Sequence, residues 1–433
     1  MRPRLILALL IVLALGQGAC IPRLVKDNEI TFMYWGDLKE IGIVSQLVTQ
    51  FEQENPGLKV KHQRVSAGGG PYDDKLATLF SAGEQPDVFL ISSYYADKYY
   101  GTGLLAELGG PARKSPVLDF KDFYPQIIRD FSADDGGVYV IPRDVAPVAC
   151  LYYNKDHFKK MGQPFPSSSL SWPEPFVSLC RHLCETDAKG NTKVWAYVDD
   201  WDLADVFTVS AGGGEVDNPL KPSRCIFDNP GSILGFQFES DLIHKYHVMP
   251  SASDSTQTGG MGTAEIFKSG RVAMFYSGAW QIPNFREIKN FDWDIALPPR
   301  YSKTGKRAFQ GGGAGYAMNG KLTGPRQDHA WKLIEYLCKP STQASFAASG
   351  LLQPSNRSVA ASPAFLDGQK PQNKKILLEA VKDVYPRTRF PRWREVMADG
   401  LSQAVQKIYR GEQTAQEALP PANEKVNKDF FGK

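Results

Sequence analysis

Charge of one sign is scarce in this 433-residue chain, where 50 Lys and Arg stand against 47 Asp and Glu. That balance excludes a broad electrostatic partnership with nucleic acid or anionic lipid, which needs clustered basic charge. Long apolar runs are scarce too. The longest, over 5–15, has eleven residues, whereas a helix crossing a bilayer needs about 20. Cysteines number six. Those beyond position 20 are Cys150, Cys180, Cys184, Cys225 and Cys338, an odd set that cannot all pair within one chain, so at least one is free. Cys180 and Cys184 stand one helical turn apart beside Leu179 and Leu183, a pattern that favours a buried apolar role over a metal site.

Catalytic signatures are missing as well. No Gly-x-Ser-x-Gly elbow occurs. Gly315, Gly320 and Lys321 have the spacing of a phosphate-binding loop, but Leu322 stands where a Mg²⁺-ligating hydroxyl is required. Gly101, Gly103 and Ala106 imitate a dinucleotide fingerprint, yet they follow a Tyr-rich helical stretch instead of a strand. His244 and His247 are three apart without the Glu of a zinc protease. The sequence therefore predicts no enzyme, no cofactor and no metal.

What is present begins with a leader. Arg2 and Arg4 precede the apolar run, and small residues end at Ala19-Cys20, which reads as a secretory signal over 1–19. Cys20 resembles the lipidated first residue of a bacterial lipoprotein, with Gly18 and Ala19 at the small positions and Gln17 where that motif carries Leu. The alternative is a signal cleaved nearby that leaves Cys20 unmodified. Loss of Arg2 and Arg4 takes the balance from 50 minus 47 to 48 minus 47, so the mature protein is near neutral.

The length exceeds what one core usually serves and predicts two domains of roughly 150 to 220 residues. Strand and helix patterns alternate along most of it, the mark of α/β layers. Strands are predicted over 29–35, 58–65 and 87–91, with helices over 41–51 and 72–82 between them, a β-α-β-α-β start. Further strands are predicted over 138–141, 148–153, 193–198, 272–276 and 314–318. Ser171 and Glu174 form a candidate capping box for a helix running to Cys184. Other helices are predicted over 232–246, 263–268, 327–338 and 392–410, the last with Trp393, Val396, Met397, Leu401, Val405 and Ile408 inward and Gly411 as its stop. Pro142 and Pro147 interrupt strand pairing and predict a crossing between domains.

Several segments then carry a resemblance: FEQENPG over 51–57, YDDKL over 72–76, QPDVF over 85–89, GLLAEL over 103–108, YVIP over 139–142 and YYNK over 152–155. AMF over 273–275 leads to Gly278-Ala279-Trp280, a glycine run precedes Tyr316, and GEQTAQEAL fills 411–419. In this order, from about residue 30 to 427, the chain resembles the extracellular solute-binding proteins of family 1. That group includes maltose-binding and other oligosaccharide-binding proteins of ABC importers. The resemblance implies an α/β, two-lobe periplasmic-binding-protein fold of type II, a Venus flytrap that closes about a hinge. It places lobe 1 at 29–145 and 314–365 and lobe 2 at 146–313 and 366–433. It implies partners too: a carbohydrate ligand, the permease subunits of an ABC importer, and a membrane reached through lipid on Cys20, with no nucleic acid and a monomeric state.

A sugar offers an apolar C–H face to an aromatic ring and hydroxyls to planar polar groups. Trp280 and Trp393 match the family's stacking tryptophans, although their position alone fits core packing too. Trp35 and Asp37 end the first strand and Tyr94 and Tyr95 the third, where open α/β sheets bind ligands. Arg143 and Asp144 fall at the hinge, either facing the ligand or joined in a salt bridge. Trp201 with Asp202 and the glycines at 212–214 complete the candidates. The pairs Tyr94-Tyr95, Tyr99-Tyr100 and Tyr152-Tyr153 also resemble those of exported Fe³⁺-binding proteins, but in a strand one neighbour of each pair faces away. Rival readings are a ligand of the glycerol phosphate or polyamine type and a secreted hydrolase. A phosphate would call on Arg143 and Arg392.

Overall fold

A computed structural model describes residues 27–66, 70–200, 205–251, 261–350 and 352–432. The candidates Cys20, Trp201 and Asp202, and the leader, lie outside the described residues. In chain order the strands begin with β1 (Glu29–Trp35), β2 (Lys59–Val65), β3 (Val88–Ser92), β4 (Val140–Pro142), β5 (Asp144–Val145), β6 (Cys150–Asn154) and β7 (Ser171–Trp172). They continue with β8 (Glu185–Thr186), β9 (Thr192–Asp199), β10 (Val272–Ser277), β11 (Trp293–Ala296), β12 (Arg300–Tyr301), β13 (Ala314–Met318) and β14 (Gln353–Pro354).

The first sheet runs β2-β1-β3-β13-β4. Its start follows from local chemistry. Asp37 accepts from the backbone N–H groups of Lys39 and Glu40, both at 2.9 Å, and so caps helix α1 (Leu38–Glu54). Val44, Leu47, Val48 and Phe51 recur at helical spacing and are buried against the sheet. The chain then returns as β2, parallel to β1, and passes through helix α2 (Gly70–Ala82) into β3, parallel to β1 on its other side. Such βαβ units have to cover both faces of a parallel sheet, which explains the nearly unbroken apolar run of β3.

The second sheet runs β11-β6-β10-β9-β8, with β10 parallel to β9 and antiparallel to β6. Its core is strongly aromatic. Tyr152 meets Phe285 edge-on at 4.8 Å and Trp293 at 5.8 Å, and Phe267 packs on Phe275 and Phe285. Val359 and Phe365 join this core, although they follow β13 and β14 in the chain. Helices 393–409 and 415–426 form an outer layer on this side, packing Val396, Leu401, Val405 and Ile408 against Phe227, Phe236 and Leu419.

Two of the local expectations are corrected. The helix that ends at Leu183 begins at Phe176, with Pro175 at its N-cap, and it is Glu174 Oε2 that accepts from the first-turn N–H of Ser178 at 3.1 Å, not a hydroxyl of Ser171. Ser171 is instead part of β7, paired with β12, and its hydroxyl donates to the carbonyl of Glu174 at 2.8 Å. Burial of Trp172 requires this. The indole is enclosed by Phe207, Phe238 and Tyr301 with ring centroids 4.6–5.1 Å away, and its Nε1–H donates to Ser210 Oγ at 3.1 Å. Pro173 and Pro175 also keep the residues before them out of helical geometry. Downstream, the long helix over 393–409 is interrupted by a π segment, Val396–Leu401, instead of continuing regularly.

Two chain segments cross between the lobes side by side. Arg143 N donates to Ala314 O at 2.8 Å, Ala146 N to Gly312 O at 2.8 Å and Val148 N to Gln310 O at 2.9 Å. Gly313 permits this approach, because a Cβ there would lie 2.3 Å from the carbonyl oxygen of Asp144. β14 pairs with β5 and adds a third strand of contact at the same place.

Candidate ligand-binding cleft

Four strand ends converge on one space. Trp35 ends β1 and Asp37 follows it, Tyr94 and Tyr95 follow β3, Asp200 follows β9, and Trp280 follows β10. All six residues line a cavity of about 940 Å³ whose floor includes residues of both crossing segments. Open α/β sheets place their ligand sites outside strand C-termini for this reason: the backbone turns there leave side chains free to converge.

From the first lobe, Trp35 meets the buried Tyr72 edge-on at 4.8 Å, and Tyr72 is anchored by donating to Leu90 O at 2.7 Å. Tyr94 donates to Gln310 Oε1 at 3.2 Å and so touches a crossing segment. Tyr95 lies beneath Lys98 Nζ, 5.5 Å from the ring centroid. Both tyrosines border the cleft because β3 ends at Ser92 and they occupy a turn, where strand alternation no longer applies. Of the other tyrosine pairs, Tyr99, Tyr152 and Tyr153 are buried in apolar cores and Tyr100 stacks on Tyr139.

From the second lobe, Trp280 is half-buried and packs against Gly278, where a Cβ would come within 1.9 Å of the indole. Tyr152 fixes this backbone by donating to Gly278 O at 2.8 Å. Beside it, Asp200 accepts from Thr263 Oγ1 at 2.5 Å, Ser277 Oγ at 2.6 Å and Gln281 Nε2 at 3.3 Å. Sequence reasoning passed over Asp200, stopping one residue later at Trp201. The available signal was the end of a predicted strand in the second lobe.

Arg143 and Asp144 form a buried network at the hinge. Arg143 Nε donates to Asp144 Oδ2 and its Nη1 to Glu40 Oε1, each at 2.7 Å, while Asp144 Oδ1 accepts from Ala314 N at 3.0 Å. Burial raises the Glu40 carboxyl above its ordinary range, and the attraction of Arg143 only partly offsets this. Burial also works against the Arg143 charge, but Asp144 and Glu40 outweigh it and hold the guanidinium above its ordinary value. Of the two readings open for this pair, the geometry contains the hinge salt bridge, and both residues also border the cleft.

Other candidates are placed elsewhere. Trp393 stacks near Phe227 and borders a separate cavity of about 20 Å³ behind Tyr94, with Glu215, Arg387 and Thr388. Arg392 pairs on the surface with Glu395 at 2.8 Å. The glycines at 212–214 pack near the start of the helix Pro230–His244, where Gly214 N donates to Ser232 Oγ at 3.0 Å.

The profile of the family described as bacterial extracellular solute-binding protein matches residues 46–373. The chain belongs to that family. Among curated relatives, a putative binding protein of Brucella abortus is 24% identical over 387 residues, covering 87% of each chain. The sn-glycerol-3-phosphate-binding periplasmic protein of Escherichia coli is 25% identical over 339 residues, covering 73% of this chain and 72% of its own. Among solved structures, an ABC substrate-binding protein of Listeria monocytogenes in complex with cycloalternan superposes with a TM-score of 0.80 at 21% identity, covering 92% of this chain and 98% of its own. A maltose-bound protein of T. maritima gives 0.77 at 21% identity, covering 92% and 99%. The two-lobe fold is thus that of maltose-binding-type periplasmic proteins. As a member of that family, it is an extracellular solute-binding protein.

Proposed function

We propose that this solute-binding protein captures an oligosaccharide between its lobes and delivers it to the permease of an ABC importer. The observation that carries the reading is the composition of the cleft. Aromatic rings come from both lobes, Trp35, Tyr94 and Tyr95 from one and Trp280 from the other, with Asp200, Gln281, Asn284 and Gln353 between them. Rings to cover sugar faces, interspersed with planar hydrogen-bonding groups, are what a carbohydrate requires. The volume of about 940 Å³ lies near the top of the roughly 300–1,000 Å³ range of small-molecule sites, which favours more than one sugar ring. On this reading the lobes hinge at the paired segments 143–148 and 310–314, and the protein acts as a monomer held to the membrane by lipid on Cys20.

A thermal-shift screen of the full chain against maltose, maltotriose, cyclic glucans, tagatose, spermidine and Fe³⁺ tests the ligand class. A ligand at 100 times its Kd adds about 2.7 kcal/mol of stability, a readily measured shift. Stabilisation by an oligosaccharide is expected; silence from every sugar together with a shift from Fe³⁺ or spermidine would replace this reading. Cys20→Ala should release the protein from the detergent phase, and a wild-type protein already in the aqueous phase would end the lipid reading.

A further inference from the structure

We propose that Asp200 makes the cleft select against anions, so that it admits uncharged or amino-bearing ligands and rejects their phosphorylated counterparts; this deepens the sugar reading and rests on it. The inventory of charge leads there. The described residues lining the cleft include four carboxylates, Asp37, Glu40, Asp144 and Asp200, against one cation, Arg143. Arg143 is already committed, with Asp144 on its Nε and Glu40 on its Nη1. A ligand phosphate would have to displace one of these buried partners and leave a carboxylate unpaired.

Three cations near the mouth are paired with carboxylates, and a fourth, Lys98, is held against aromatic rings. Lys39 pairs with Glu287 at 2.5 Å and Arg394 with Asp74. Arg387, behind Tyr94, pairs with Asp97 at 3.1 Å. Lys98 rests on the rings of Tyr95 and Tyr99.

Asp200 is different. Its three side-chain partners are two hydroxyls and an amide, and among the described residues no cation lies within ion-pair distance of it. The hydroxyls fix the carboxylate beside Trp280 without neutralising it. A carboxylate held in this way can accept from a sugar hydroxyl or an ammonium while an aromatic ring covers the adjoining face. The same fixed charge repels phosphate, in a cleft whose low-dielectric walls screen it poorly.

Calorimetric titration of the full chain with matched pairs tests this: glucose against glucose 6-phosphate, maltose against maltose 1-phosphate, and glycerol against sn-glycerol 3-phosphate, with maltotriose and spermidine alongside. The wild type should bind at least one uncharged sugar and bind its phosphorylated partner at least tenfold more weakly. Asp200→Asn should weaken the uncharged sugar about tenfold and narrow the gap to its phosphate by a similar factor. A phosphorylated probe that matches or outbinds its partner on the wild type would overturn the inference, as would an unchanged ratio in Asp200→Asn. The wild-type comparison decides the matter even if the variant fails to fold. Binding of spermidine with no sugar would sink the sugar reading while leaving the charge selection intact, and silence from every probe would overturn both.

Discussion

At the scale of single residues, Trp280 separates binding from folding. A core Trp→Ala typically costs about 3–5 kcal/mol. Trp280 is half-buried at the cleft wall, so Trp280→Ala should cost roughly 1 kcal/mol of stability and about 2 kcal/mol of ligand binding, near thirtyfold in Kd. Urea unfolding and titration of the same sample check it; a variant that unfolds early yet binds normally would make the indole structural. Asp73 bears on pH instead. It is buried in the first turn of α2, its Oδ2 has no hydrogen-bond partner among the described residues, and burial raises its pKa to about 7 against the pull of Lys98 and Arg394. The fold therefore holds this proton more tightly than the unfolded chain does. The stability linked to it is full below about pH 4 and is lost as pH rises through about 7, by up to roughly 4 kcal/mol. Asp73→Asn should gain on the wild type by roughly 2 kcal/mol or more between pH 4 and pH 8 in urea unfolding, and a difference that stays flat across that range would refute the assignment.

At the scale of elements, the hinge ladder concentrates strain-sensitive packing at one glycine. Gly313→Ala would set a Cβ 2.3 Å from the Asp144 carbonyl oxygen, so the two crossing segments would have to part. Overpacking of this kind costs about 1–3 kcal/mol, and thermal unfolding should show a lower Tm together with weakened ligand binding. Unchanged values for both would mean that the crossing tolerates separation. The strands on either side were legible because apolar residues are continuous or alternate over short stretches bounded by turn residues, as in β1, β3 and β10. The helix after β7 was not, because Ser171 and Glu174 have capping spacing while Trp172 is claimed by a long-range aromatic cluster. Local chemistry proposed one start and tertiary packing chose another. Site residues divide in the same way. Those directly after the strand ends of the first lobe could be read from topology, whereas Asp200 gains its role from Thr263, Ser277 and Gln281, which lie 63 to 81 positions away.

At the scale of the whole molecule, the cleft mouth is bridged on two sides by exposed ion pairs that join the lobes. Lys39 at the start of α1 reaches Glu287 at 2.5 Å, just beyond the cleft-lining Asn284. Arg394, ahead of the π segment, takes both carboxylate oxygens of Asp74 on α2. Closure is a population shift, and a ligand drives it only through its different affinity for open and closed forms. These pairs contribute to the closed side whether or not ligand is present, but exposed pairs are individually weak and weaken further with salt. Replacing both cations, Lys39→Ala with Arg394→Ala, should therefore move the ligand-free protein toward the open form. It should weaken binding of any ligand that requires closure by about threefold to tenfold. Small-angle scattering supplies the direct measurement. The double variant should have a larger radius of gyration than the wild type without ligand and the same radius at saturation, and 0.5 M NaCl should move the wild type part of the way. If the free radii coincide at low salt, the pairs form only after the ligand has closed the lobes, and the wild type rests open.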